Sequence, residues 1–254
     1  MINRILLINP PIQDFYQTEI RQEPLGLEYL VAILLKNGYN VFIFNALACK
    51  SRKCVLFPSL LSYLKKFYPS TDVSPFKLFT HFYHFGKSFE ELQQESKDFN
   101  PDLIGISANF TPYFETVLKT AKVCKKILPQ VPVVMGGHHA TAKPGEILQS
   151  EYVDYVVLGE GEATFLELLE TLSRGRIRKL ENMAGIAFKN GLQLVINQPQ
   201  KFITDLDSLP SPLTSQPLKH KMIITSRGCP RGCNFCSITD FHFGMEYTFL
   251  ISYR

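Results

Sequence analysis

Cys229, Cys233 and Cys236 stand in a C-x3-C-x2-C spacing inside Thr225-Ser-Arg-Gly-Cys-Pro-Arg-Gly-Cys-Asn-Phe-Cys-Ser237. Thiolates are soft ligands, and three of them at one point make a metal or cluster site. Gly228 and Gly232 let the backbone curl, and Pro230 fixes one φ between them, so the spacing predicts three thiolates converging on one point. The apolar run Met222–Thr225 reads as a buried strand leading into this loop. Two chemistries fit the residues alone. One is a zinc site closed by His220 or His242, although structural zinc more often uses paired knuckles than this uneven spacing. The other is an iron–sulfur cluster held by three cysteines, with one iron left open to a ligand. Cys49 and Cys54 have no third ligand nearby and read as ordinary free thiols.

The elements that must position this loop are periodic over most of the 254 residues. Apolar runs at 4–8, 41–44, 102–107, 132–135 and 155–158 read as buried strands. Helices are expected from Pro24 to a stop at Gly38, from the capping box Ser88-Phe-Glu-Glu91 to about Asp98, and from Pro112 through Leu128. A short helix should precede Tyr155, and an amphipathic one should cover Ala163–Leu172. Continuous apolar strands alternating with helices predict an α/β, doubly wound domain of Rossmann or flavodoxin type, its parallel sheet covered on both faces. Ligands of such sheets bind outside the carboxyl ends of the strands. Asn9, Ser107–Thr111, Gly136–His139 and Gly159–Glu162 all fall at those ends and should share one rim. Neither glycine pair fits G-x-G-x-x-G, so a dinucleotide fingerprint is not supported.

Residues 50–87 interrupt the rhythm with many aromatic rings and with Pro58, Pro69 and Pro75; short helices are expected, their rings packing the insertion onto the main body. Gly185–Val195 reads as a hairpin around Asn190-Gly191, and residues 197–220, with four prolines, as an extended linker. The net charge of +4 is small for this length and gives nucleic-acid binding no support. No stretch reaches the roughly 18 apolar residues of a membrane span, so no membrane partner is expected. The opening MINRILLINPP is a short apolar run stopped by prolines and reads as no leader. With clustered thiols, this points to a reducing, cytoplasmic location.

The string SRGCPRGCNFCS resembles the signature of radical S-adenosylmethionine (SAM) enzymes. Upstream, Pro24-Leu25-Gly26, Pro101–Ser107, Val133–Gly137 and Val156–Glu162 appear in the order seen in the cobalamin-binding branch of that family. The resemblance covers essentially the whole chain. It implies that Cys229, Cys233 and Cys236 hold a 4Fe–4S cluster whose open iron chelates SAM, with Phe235 close to the adenine. It also implies cobalamin across the strand rim, met by Ser107, Asn109, Gly136, Gly137 and Gly159-Glu160-Gly161-Glu162. Cleavage of SAM to a 5′-deoxyadenosyl radical, followed by methyl transfer, cyclisation or oxidation of a small molecule, is the implied chemistry. An electron donor such as flavodoxin or ferredoxin is the implied partner. No catalytic side chain is assigned.

After the second strand stands Asn45-Ala-Leu-Ala-Cys49 rather than D-x-H-x-x-G, so the usual lower axial imidazole is absent. His138 and His139 are read as loop hydrogen-bonding groups, because a histidine pair at a turn carries no ligand geometry. The implied organisation is a cobalamin-binding domain over 1–175, a hairpin and linker over 176–220, and the first strand and cysteine loop of a radical SAM partial barrel over 221–254. A full α/β barrel needs roughly 200 residues, and eighteen follow Cys236. The expectation is therefore a truncated chain. Two alternatives stand beside the radical reading: a corrinoid-binding module without radical chemistry, and a zinc-stabilised interaction domain.

Overall fold

The computed structural model describes residues 2–15, 23–67, 69, 71, 73–75, 80–212, 224–231, 233, 236 and 247–249. Its centre is a seven-stranded sheet. The parallel strands are β1 (Arg4–Asn9), β3 (Asn40–Asn45), β6 (Leu103–Ser107), β7 (Val133–Gly136) and β8 (Tyr155–Val157). They lie in the order β8-β7-β6-β1-β3, with crossovers expected of a doubly wound sheet. The hairpin, β9 (Ile186–Asn190) and β10 (Gln193–Ile196), was expected between the sheet and the cysteine segment. It instead continues the sheet, with β9 antiparallel to β8.

The central residues of the strands are apolar because both faces of the sheet are covered. Leu6, Ile8, Ile104, Ile106, Val133 and Met135 point into one core with helices α2 (Phe89–Phe99) and α3 (Phe114–Ile127). Ile5, Leu7, Leu103, Val134 and Val157 point the other way, against α1 (Leu25–Lys36) and α6 (Gly161–Ser173). Each such fully buried aliphatic side chain contributes about 1.5–3 kcal/mol. The N-terminus of α2 has both halves of the capping box: Glu91 N–H donates to Ser88 Oγ, and Ser88 N–H donates to the Glu91 carboxylate. Between β7 and β8 stand two short helices, α4 (His138–Ala142) and α5 (Pro144–Leu148), rather than one. Pro144 has no N–H and restarts the helix as its first residue.

In the aromatic insertion the expectation of short helices holds in part, and strands that were not expected stand beside them. Here β2 (Ile12–Asp14), β4 (Arg52–Val55) and β5 (Phe82–Phe85) form a three-stranded antiparallel sheet, and a 3-10 helix spans Ser59–Lys66. Aromatic residues favour a pleated, half-buried surface, and here a strand from outside the insertion completes it. Phe15 meets Phe57 and Phe82 edge-on at ring-centroid distances of 5.3 and 4.9 Å, so these rings pack on one another.

The strand of the cysteine segment is also displaced from its expected position. β11 spans Ser226–Gly228 and pairs antiparallel with β12 (Tyr247–Phe249), while Ile224 and Thr225 are irregular. Met222 and Ile223 lie outside the described residues. The antiparallel partner differs from the parallel pairing of a barrel strand. It takes up the strand's backbone hydrogen bonds from twenty residues further along the chain, a pairing no local pattern announces. Among the described residues no helix is long and apolar enough to cross a membrane.

Candidate functional site

A cleft of about 430 Å³ opens at the carboxyl rim of the sheet, on the α1 and α6 side. Its volume lies in the range of small-molecule and cofactor sites. The floor is apolar: Leu7, Val134 and Val157 from the strands, Leu27 and Leu30 from α1, and Phe165 from α6. The walls are glycine-rich, with Gly26, Gly105, Gly136, Gly137, Gly159 and Gly161. Ser107, Asn109, His138, Glu160 and Glu162 supply polar groups at the mouth. The eight rim residues expected to contact cobalamin therefore surround one cavity. Asn9 does not line it, and its side-chain amide donates to Asn45 Oδ1 at 2.9 Å instead.

The glycines are space rather than ornament. A Cβ at Gly105 would lie 2.8 Å from Leu7 Cδ2 and 3.3 Å from the Phe165 ring, so any side chain there would push the floor apart. Gly137 has φ of 115°, and a Cβ would come within 2.4 Å of Asn109 Oδ1. That conformation lets the chain turn from β7 into α4 beneath the rim.

Hydrogen bonds between turns fix the rim. Asn109 donates to Ser107 Oγ at 3.0 Å, and its Oδ1 accepts the His138 N–H at 3.3 Å. Thr141 Oγ1 donates to Gly137 O and accepts the Gly159 N–H, at 3.0 and 2.9 Å. One hydroxyl thus ties the two glycine turns together, and sequence reasoning missed it. Its only sequence signal is a threonine one helical turn beyond a glycine pair.

Both histidines stand in the first turn of α4 rather than in a loop, and both are hydrogen-bonded. His138 is exposed at the cleft mouth and hydrogen-bonded to Asn109. His139 is buried against the Phe114 ring, at a centroid distance of 4.4 Å, and shares a hydrogen bond with Thr111 Oγ1 through Nδ1. Burial depresses its pKa, with Lys143 adding to that and Glu146 opposing it.

The cysteine segment meets the cleft through Ile224, Ser226, Arg227 and Gly228, which close its outer side. Arg227 is the anchor. Its Nη1 donates to Glu160 Oε1 at 2.9 Å and its Nη2 to Glu162 Oε1 at 2.6 Å. The side chain is 12% exposed, and those of the two glutamates 8% and 9%. Burial opposes the guanidinium charge, but Glu162 and Glu160 together overcome it and raise the Arg227 pKa above the ordinary arginine value. The guanidinium also lies 5.3 Å from the Tyr29 ring centroid. The N-terminus of α6 favours the Glu162 carboxylate, which helps to hold two acids beside one base. The other oxygen of Glu160 accepts the Ile203 N–H at 2.7 Å, pinning the linker to the same point. Arg227 was quoted in the cysteine motif without a role; only the fold reveals its partners.

The three thiols stand on one short segment. Cys229 and Cys236 are half-buried and Cys233 is exposed, all free. A turn bond links Cys236 N–H to Cys233 O at 3.0 Å. Among the described residues no three His, Cys, Asp or Glu side chains gather as a metal site. The backbone starts the curl, but the thiols are not drawn together. Phe235 lies outside the described residues, as do His220 and His242.

A B12 binding domain matches residues 77–169. An uncharacterized methyltransferase of Pyrococcus horikoshii is 29% identical, covering 97% of this chain and 47% of its own length. The hopanoid C-3 methylase of Methylococcus capsulatus is 30% identical over 99% of this chain and 42% of its own. The chain spans about half the length of the curated relatives it matches. The fold matches the radical SAM methyltransferase TsrM of Kitasatospora setae, solved with cobalamin and a 4Fe–4S cluster. The TM-score is 0.62 at 17% identity, covering 98% of this chain and 44% of that one. With a B12-binding domain and this ordering of turns and cysteines, the chain is a relative of the cobalamin-binding radical SAM proteins.

Proposed function

We propose that this chain binds cobalamin at the sheet rim and a 4Fe–4S cluster through Cys229, Cys233 and Cys236, as part of a radical SAM enzyme acting on a small molecule. The observation that carries the reading is the glycine-walled apolar cleft, closed on its outer side by the segment that bears the cysteines. Bound cluster and SAM supply radical generation, and the corrinoid supplies a methyl-carrying centre. The chain's own part is to cradle and position. The nucleotide arm of cobalamin would be held where Gly136 and Gly161 carry no side chain, over the apolar floor of Val134, Val157 and Phe165. Ser107, Asn109 and the turn Gly159–Glu162 offer hydroxyl, amide and backbone groups to the polar periphery.

For the cluster, the donor set has the right chemistry, three thiols on a glycine-flanked loop, and loading requires that loop to draw them together. Relatives include methyltransferases and anaerobic magnesium-protoporphyrin IX monomethyl ester cyclases. Methyl transfer or ring formation at an unactivated carbon is accordingly the proposed reaction class. Flavodoxin or ferredoxin is the proposed electron donor, and the reducing cytoplasm the proposed setting. The proposed division runs from the cobalamin-binding domain over 1–175, through 176–220, to the radical SAM segment over 221–254, with Phe235 beside the adenine of SAM.

Anaerobic reconstitution with iron, sulfide and hydroxocobalamin, followed by visible and paramagnetic resonance spectra with and without SAM, tests the proposal. The expected result is a corrinoid spectrum plus a cluster signal that changes when SAM is added. The combined variant Cys229→Ala, Cys233→Ala and Cys236→Ala should lose the cluster and keep the corrinoid. Cluster signals surviving in that variant, or one zinc and no iron in anaerobically purified protein, would sink the cluster assignment.

A further inference from the structure

We infer that Arg227 is a positioning residue. It latches the cysteine-bearing strand onto the acidic turn Glu160–Glu162, so that the cleft and the cysteine loop hold a fixed geometry and respond to each other. The inference rests on the corrinoid reading only for the identity of the ligand.

Three observations converge. The guanidinium reaches two carboxylates on opposite sides of a single residue, with separate nitrogens, and all three side chains are nearly buried. A planar fork held at two points fixes orientation as well as distance, which a lysine could not do. Arg227 and both glutamates also line the cleft itself, so a ligand entering there meets the latch. Finally, Cys229 follows Arg227 by two residues and is half-buried, whereas Cys233, further along, is exposed. The latch therefore holds the near end of the loop, beside Cys229; Cys236, at the far end, is half-buried as well. Among the described residues, no other ion pair joins residues 224–236 to the main sheet domain.

Thiol alkylation of the full chain, without added iron, provides the test, read by mass spectrometry at each cysteine with and without hydroxocobalamin. Wild type, Arg227→Lys, Arg227→Ala and Glu162→Gln are compared. In wild type, hydroxocobalamin should slow alkylation of Cys229 by about tenfold, a common size for coupling between sites. In Arg227→Ala, Cys229 should react rapidly with or without hydroxocobalamin, although hydroxocobalamin still binds, more weakly. Arg227→Lys and Glu162→Gln should fall between. Cys233 should react fast throughout, and buried Cys124 should stay protected in every variant, which separates unlatching from unfolding. Wild-type Cys229 kinetics in Arg227→Ala, with and without hydroxocobalamin, would overturn the latch. If wild type fails to bind hydroxocobalamin, the corrinoid reading falls. The latch is then judged on ligand-free rates, where equal rates in wild type and Arg227→Ala overturn it.

Discussion

Arg227 and Glu162, sixty-five residues apart in sequence, meet at 2.6 Å in a nearly dry contact at the edge of the cleft. Breaking a buried pair by removing one partner leaves an uncompensated charge and costs more than the pair contributes. Because both groups belong to one network, their removals should not add. In a double-mutant cycle of Arg227→Ala with Glu162→Gln, the coupling should be about 1–3 kcal/mol by urea denaturation. Additive effects would show that the contact does not hold the segment in solution.

The glycines of the cleft separate binding from folding. Gly26 lines the cleft in the first turn of α1, and an added Cβ meets no atom within 4 Å. Gly26→Leu should therefore fold as well as wild type, or better by up to about 1 kcal/mol from helix propensity. It should still lose roughly tenfold or more in hydroxocobalamin affinity, because the side chain fills ligand space. Gly137→Ala should behave oppositely. Its positive φ and the 2.4 Å approach to Asn109 Oδ1 should lower stability by at least about 1–2 kcal/mol. Unfolding midpoints and absorbance titrations distinguish the two.

Glu28 lies in α1 fully shielded from solvent, and among the described residues neither carboxylate oxygen has a hydrogen-bond partner. Burial, with a smaller push from Glu23, raises its pKa above the usual carboxylate value. The folded state therefore binds a proton that the unfolded state has released, and this part of the stability falls as pH rises from the unfolded value through the raised one. Glu28→Met keeps the length and the helix propensity and removes both stranded oxygens. It should stabilise the protein by about 1–3 kcal/mol at pH 8 and by less at pH 4. Equal effects at both pH values in thermal melts would show that Glu28 finds a partner in solution.

Cys124 is buried in α3, and burial pushes its thiol pKa up to about 12. At pH 8 only roughly one thiol in ten thousand would be ionised there, and thiolate is the reactive form. Exposed Cys54 and half-buried Cys49 should react with a disulfide reagent at pH 8 well before Cys124. Cys124 should appear only on unfolding in urea; early labelling would mean that the α3 face opens.

Much of this was legible in the chain because its physics is local. Residues 4–8 announced β1 by apolar continuity, and Ser88 with Glu91 announced both halves of a cap three residues apart. The rim residues could be grouped from sequence because a parallel sheet puts every strand's carboxyl end on one side, which brought Ser107, Gly136 and Gly161 to one cleft. What escaped depends on distant partners. Residues 52–55 and 82–85 became strands because they pair with each other, and 82–85 also with Ile12–Asp14, not from any periodicity of their own. The cysteine strand settled on Ser226–Gly228 because Tyr247–Phe249 supplies its ladder. Thr141 is an ordinary threonine until the fold places Gly159 against its hydroxyl.

The doubly wound sheet and its glycine-bearing rim could be read from the chain alone, because strand continuity and glycine turns each carry their meaning in a short window. Only the tertiary structure decided how the cysteine segment stands to that rim. An arginine's partners are set by charges that meet across space, and no spacing in the chain encodes that Arg227 would find Glu160 and Glu162.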